Sequence, residues 1–293
     1  MAANTRDIRR RIKSVKNTSQ ITKAMQMVAA AKMRKAQQVA LAGRAYAELL
    51  SKVLRSVAGG AEEGAHDLLR EREVKKELVI VISPDKGLCG ALNTNLFREV
   101  AKFDPTKTVF VAAGRKATQF IARTNRELIA EFPLKDSPAF LETKNIGKFA
   151  MEKFTSGEVD KVTVVFTDFI NTLSQMPKAK TILPITSLEV TSGIGGAQED
   201  AKVTAADSTE YVFEPNIGEV LSAVLPHHVY FQIYQMVLDS RASEHSARMV
   251  AMKAATDNAK QLIKDLTLEY NKVRQAAITT ELLEITTAQM ALA

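Results

Sequence analysis

Residues 8–57 read IRRRIKSVKNTSQITKAMQMVAAAKMRKAQQVALAGRAYAELLSKVLRSV. Ile8, Ile12 and Val15 open an apolar stripe that continues through Ile21, Met25 and Val28. After Lys32 and Ala36 the stripe settles into Val39, Gly43, Tyr46, Leu50, Val53 and Val57. Those last steps alternate four and three residues, the spacing of a left-handed coiled-coil seam. A helix over 4–58 would extend roughly 80 Å, far beyond an ordinary globular helix. It needs a partner of similar length.

The other end of the chain supplies one. Pro215 and Asn216 precede Ile217, and Glu219 follows Asn216 by three residues, an N-cap with a capping-box acid. Pro226 is expected to stop or kink the short helix so begun. From His227 a second stripe runs through Phe231, Leu238, Met249, Met252, Ala259, Leu262, Leu266, Tyr270, Val273, Ala277 and Thr280. Small residues recur on both stripes and permit close approach. The two helices should run antiparallel, because a domain separates them in sequence.

Glycine and proline show where that domain lies. Of 13 Gly and 8 Pro, only Gly43 falls outside the stretch from Gly59 to Pro226. The chain therefore divides into 1–58, a terminal helix; 59–215, a central domain; and 216–293, a second terminal helix. In the middle, Leu78–Ile82, Thr108–Ala112 and Lys161–Phe166 read as strands. Thr181–Ile185 and Tyr211–Phe213 are further short ones. Helices are expected over Ala91–Lys102, Arg115–Arg123 and Ala139–Phe154, with a loop or hairpin over Thr191–Thr209. Strand–helix alternation predicts an α/β sheet with packed helices. The pattern argues against a plain doubly wound enzyme, a β-sandwich and a repeat array.

Charge is as uneven as the breakers. Residues 1–57 carry thirteen Lys and Arg against Asp7 and Glu48, which leaves the rest of this +7 chain mildly acidic. The basic segment calls for a negatively charged partner: nucleic acid, a membrane surface or an acidic protein loop. Its charges interleave with the coiled-coil seam, whereas a basic zipper keeps them apart. A basic coiled-coil nucleic-acid-binding protein is accordingly the alternative reading. Cys89 is the only cysteine, so no internal disulfide forms and a reducing compartment is expected. No apolar run approaches the ~20 residues of a membrane span. The Arg-rich start imitates an organellar presequence, but its pattern runs on unbroken and reads as mature protein.

Chemistry-bearing motifs are scarce. SPDKGLCGALN (83–93) follows a strand and opens a helix, where phosphate loops sit, but it lacks P-loop and dinucleotide spacing. Lys86, Gly87 and Gly90 are read as serving a tight turn, and a dinucleotide-type enzyme is a third reading. His66, His227, His228 and His245 have no metal-ligand spacing and are expected at the surface or at interfaces. No catalytic residue, cofactor site or metal site is assigned. Ile285–Ala293 carry no side-chain charge, and such a tip belongs in a sleeve supplied by other chains.

Three stretches carry a resemblance. IRRRIKSVKNTSQITKAMQMVAAAKMRKA (8–36) resembles the first rotor helix of the gamma subunits of F-type ATP synthases. DKGLCGALN (85–93) resembles that family's entry into its α/β domain. SEHSARMVAMKAATDNAKQLIKDLTLEYNKVRQAAITTELLEI (243–285) is similar to its C-terminal shaft helix and signature. Thr287–Ala288 stand where the family usually has glycine–alanine, and the cysteine-bearing regulatory insertion of chloroplast-type members is missing.

The resemblance implies a long antiparallel coiled coil of the terminal helices plus a central Rossmann-like α/β domain, the foot of a rotor. It implies a non-catalytic central-stalk subunit, present in one copy and without cofactor. Its partners would be three alpha and three beta subunits, epsilon and the c-ring, and nucleic acid would not be among them. Membrane association would be indirect, through the c-ring, at the cytoplasmic face of a bacterial inner membrane. Met25, Arg248, Arg274 and Gln275 would contact beta subunits. Tyr211 and Glu214 would meet epsilon and the c-ring.

Overall fold

The computed structural model describes residues 5–43, 46, 49–50, 52–54, 66–185 and 216–292. The chain divides into two compact units: Met1–Val28 with Met249–Ala293, and Ala29–Arg248.

The second unit contains a five-stranded sheet. Its strands are β1 (Glu77–Ile82), β2 (Thr108–Ala113), β3 (Leu128–Phe132), β4 (Lys161–Phe169) and β5 (Gln175–Leu183), in spatial order β3-β2-β1-β4-β5. β1 pairs in parallel with β2 and β4, and β2 with β3, whereas β5 returns antiparallel on β4. Side-chain alternation sorts the core onto two faces. Leu78, Ile80 and Ile82 join Val162, Val164 and Phe166 on one, beneath α4 (Phe140–Thr155) and the start of α5 (Ile217–Leu292). Val79 and Val81 join Phe110 and Val165 on the other, beneath α2 (Leu92–Val100) and α3 (Arg115–Arg123).

β3 has no counterpart among the expected strands. It is an edge strand whose residues alternate between half-buried and exposed, so it lacks the apolar run that marks β1 and β2. β5 begins six residues before the expected Thr181. Its Pro177 and Lys178 suit an outer strand, where a missing ladder donor does no harm. The expected strand Tyr211–Phe213 and the loop Thr191–Thr209 lie outside the described residues.

Pro226 does not stop its helix. α5 starts at Ile217 with Asn216 as its cap: Asn216 Oδ1 accepts the Glu219 amide at 2.8 Å, and the Asn216 side-chain amide donates to Glu219 at 2.8 Å. Pro226 lies inside the helix. Leu221, Leu225 and Val229 are fully packed on either side of it, and that burial offsets the lost backbone bond. Further along, α5 is fastened to the sheet by hydroxyls. Ser240 Oγ accepts the Thr167 amide at 3.2 Å, Ser243 donates to the Thr167 carbonyl at 3.2 Å, and Ser246 donates to the Thr172 carbonyl at 2.8 Å.

In the first unit, residues of α1 (Thr5–Ala42) and α5 form an antiparallel helix pair. Arg9 donates to the Tyr270 hydroxyl, and Thr22 meets Thr256 at 2.7 Å. Between those contacts one helix advances thirteen residues while the other retreats fourteen.

The seam departs from the expected stripe in phase. Ile8 is buried, and Ile12, Val15, Ser19, Thr22 and Met25 are half-buried, whereas Ile21 and Val28 are 60 % and 55 % exposed. On α5, Met252, Thr256, Ala259 and Leu266 are buried with Ile263 half-buried, and Leu262 turns outward. In the other unit Ala29, Met33 and Ala40 are the buried α1 positions, and Val39 is exposed. Ser19, Thr22, Thr256 and Ala259 thus share the seam with larger side chains such as Ile8, Met252 and Leu266.

Gly43, the lone breaker near the N-terminus, follows the end of α1. A Cβ there would stand 2.5 Å from Nε2 of Gln235 and 3.5 Å from the Phe231 ring. Gly147 plays the same part on α4, where a Cβ would stand 2.7 Å from the Tyr230 ring. Each glycine marks a close approach to α5.

Candidate functional site

The helix pair ends abruptly. α5 is half-buried at Tyr270 and Val273, opposite the start of α1, and every described side chain from Arg274 to Met290 is exposed. These include Ile278, Leu282, Leu283, Ile285 and Met290. A helix end with that many exposed apolar side chains presents a surface suited to another chain. Ala277 and Thr280, expected on the buried stripe, are therefore open. Thr287 leaves the helix intact, its hydroxyl donating to the Leu283 carbonyl at 2.8 Å.

Arg274 and Gln275 stand at the boundary between the paired part and this helix end, both exposed. The Arg274 guanidinium rests 6.0 Å from the centre of the Tyr270 ring, which holds its stem along the helix while the head stays solvated. Met25 is half-buried on α1. Basic residues Arg10, Lys13, Lys16 and Lys23 line the exposed side of the same helix.

Arg248 is placed differently. Its side chain is mostly buried and pairs with Glu244 at 2.8 Å. It also donates to the carbonyls of Gly87 at 3.3 Å and Lys86 at 3.5 Å. The loop after β1 thus turns carbonyls toward an arginine rather than amides toward a phosphate. The α3 amides nearby are capped from within the chain: Asp85 accepts from Arg115 at 3.0 Å and Ser83 Oγ from Ala117 at 2.8 Å. Cys89, beside this network, is buried, and desolvation pushes its thiol above the usual range. Tyr211 and Glu214 lie outside the described residues.

The histidines correct the expectation of surface positions. His228 is 1 % exposed and His245 is equally enclosed. Burial pushes His228 down to about 4 and lowers His245 as well. His228 shares a 2.8 Å hydrogen bond with Gln232, and its Nδ1 finds no partner among the described residues. Their apolar-looking phase along α5 was the available signal. His227, between the rings of Tyr46 and Phe140, and His66 are half-buried and keep an open edge. Among the described residues no three His, Cys, Asp or Glu side chains group as metal ligands, and no helix is long and apolar enough to cross a membrane.

Comparison with known proteins bears on nearly the whole chain. A family model described as ATP synthase matches residues 4–292. The ATP synthase gamma chain of Opitutus terrae is 52 % identical over 294 residues, covering 99 % of both chains. That of Methylacidiphilum infernorum is 48 % identical over 296 residues, again covering 99 % of each. A chain from the Euglena gracilis mitochondrial ATP synthase OSCP/F1/c-ring structure superimposes with a TM-score of 0.67. It is 21 % identical, and the match covers 98 % of this chain and 94 % of that one. A chain from the Tetrahymena thermophila central stalk/c-ring structure gives a TM-score of 0.61 at 24 % identity, covering 80 % and 99 %. Those two likenesses speak to the fold.

Proposed function

The chain belongs to the family of ATP synthase gamma chains, and on that premise we propose how its surfaces carry out the rotor-shaft role in an F-type ATP synthase. The terminal helices, 1–58 and 216–293, act as the shaft, and residues 59–215 act as the foot. The shaft turns among three alpha and three beta subunits. It presents a different face to each beta subunit in turn and so biases each catalytic site toward a different nucleotide affinity. Such coupling needs contacts that differ between rotary positions, since uniform contacts shift no equilibrium. The chain itself performs no catalysis and holds no cofactor.

The observation that carries this reading is the bare end of α5, where exposed leucines and isoleucines follow directly on a well-packed helix pair. An uncharged tip of that kind is suited to an apolar sleeve. The basic side of α1 is suited to acidic loops that approach it from outside. Met25, Arg274 and Gln275 meet beta subunits directly. Arg248, engaged with Glu244 and the Lys86–Gly87 carbonyls, contributes to the same coupling by shaping the surface around that loop. Tyr211 and Glu214 meet epsilon and the c-ring. The foot associates with the cytoplasmic face of a bacterial inner membrane only through the c-ring, one copy per complex.

The test is the double variant Arg274→Ala/Gln275→Ala in the assembled complex. ATP synthesis should fall severalfold while the melting temperature of the isolated chain stays unchanged. Unaltered synthesis would remove these two residues from the beta contact.

A further inference from the structure

One face of α5 grips the β1–α2 loop at two points. Arg241, Glu244 and Arg248 are spaced three and four residues apart, so they line up along the helix. One guanidinium nitrogen of Arg241 donates to Glu244 at 2.8 Å. The other donates to the Leu134 carbonyl at 2.7 Å and stands 3.6 Å from Asp85. The second oxygen of Glu244 receives Arg248, which reaches on to the carbonyls of Lys86 and Gly87. Asp85, Lys86 and Gly87 are consecutive, so the circuit closes on itself. Asp85 also accepts the Arg115 amide, which ties the circuit to the start of α3.

The cluster is enclosed. Arg241, Glu244 and Arg248 side chains are 3 %, 4 % and 12 % exposed. Two guanidinium groups balance two carboxylates. Burying ions is costly, and apolar residues of similar volume generally serve stability as well or better. Stability alone therefore does not account for the arrangement. Charge-assisted, forked hydrogen bonds fix angle and register, which sliding apolar contacts do not. Leu134 follows β3 and Asp85 follows β1, so Arg241 joins the carboxyl ends of two strands to one helix.

We propose that Arg241 is a positioning residue for mechanical coupling: it locks the rotational setting of α5 against the sheet, so that turning one carries the other without slip. This rests on the rotor reading above. It differs from a beta-contact role, because the Arg241 side chain is buried and its guanidinium is taken up by Glu244, the Leu134 carbonyl and Asp85.

The experiment uses the assembled complex in vesicles, with ATP hydrolysis and ATP-driven proton pumping measured on the same preparation. Arg241→Gln should hydrolyse ATP but pump about threefold fewer protons per ATP, within the range that coupling-network changes produce. Arg241→Lys, which keeps the charge and loses the fork, should fall between that variant and wild type. Hydrolysis and pumping that decline in proportion, leaving the ratio unchanged, would show a packing role only and overturn the proposal. If Arg241→Gln fails to assemble, Asp85→Asn decides. It removes one arm and leaves the three α5 side chains in place, and an unchanged ratio there overturns the proposal equally. A wild-type chain that assembles without restoring pumping would instead count against the rotor reading.

Discussion

The hydroxyls of Thr22 and Thr256 share a hydrogen bond of 2.7 Å across the helix pair, and Thr256 also donates to the carbonyl of Met252 at 2.8 Å. A polar pair takes the place that the neighbouring Ile21 would fill in a conventional seam. Removing one partner should cost more than removing both. Thr22→Val leaves the buried Thr256 hydroxyl with only its bond to Met252 and should destabilise by about 1 kcal/mol, whereas Thr22→Val/Thr256→Val should come close to wild type. A double-mutant cycle by chemical denaturation measures the difference. Equal or additive losses would show that the bond contributes nothing.

The glycines at close approaches make a prediction of opposite sign to helix propensity. Gly147→Ala adds a better helix former, yet its Cβ would press on the Tyr230 ring at 2.7 Å. It should destabilise by about 1–3 kcal/mol. Gly218→Ala, whose nearest neighbour would be Asn216 Oδ1 at an ordinary 3.6 Å, should be neutral or stabilising by up to about 1 kcal/mol. Thermal melting of both variants checks the contrast.

His228 gives the fold a pH dependence of its own. Unfolded, the ring titrates near its ordinary 6.5; folded, burial holds it at about 4. The fold binds the neutral ring, so His228 costs nothing above pH 6.5. Stability falls as pH drops from 6.5 toward 4, by roughly 3 kcal/mol in all. His245, lowered by the same cause, adds in the same direction. Asp136, lowered by its Lys32 partner, acts only below its ordinary 3.8. Replacing His228 with Asn should flatten the slope between pH 6.5 and 4, as urea unfolding at several pH values would show. An unchanged slope would place the titration elsewhere.

The bare end of α5 separates stability from assembly. Leu282→Ser/Leu283→Ser removes apolar area that is already exposed in the isolated chain. The melting temperature should stay within error, while association with alpha and beta subunits weakens. A fall in melting temperature instead would mean that these side chains pack within the chain.

Much of this was legible in the sequence, and the failures have physical causes. β1, β2 and β4 are buried on both faces, so their apolar runs announce them. β3 is a half-covered edge and announces little. The helix pair was readable from its breaker-free ends, but its phase was not. Thr22, Ala29 and Ala40 lie inward because close packing favours small or mutually bonded side chains, a preference that a hydrophobicity count ranks below Ile21, Val28 and Val39. The buried histidines and the Arg241 circuit escaped as well. The Arg241 circuit is completed by partners far away in sequence, Leu134 and Asp85, which no local pattern reveals, whereas His228 and His245 are marked only by their phase along α5. Gly43 is explained by the Gln235 side chain packed against it, another contact that the local sequence does not reveal.

If this chain turns as a shaft, its rotation can be watched. Cys89 is buried, so a probe can be attached selectively at Thr94→Cys on the exposed side of α2. With the ring of alpha and beta subunits fixed to a surface, the probe should rotate steadily in one direction while ATP is hydrolysed, and stop when ATP is withdrawn. ATP hydrolysis at an undiminished rate with a stationary probe would mean that the chain does not turn.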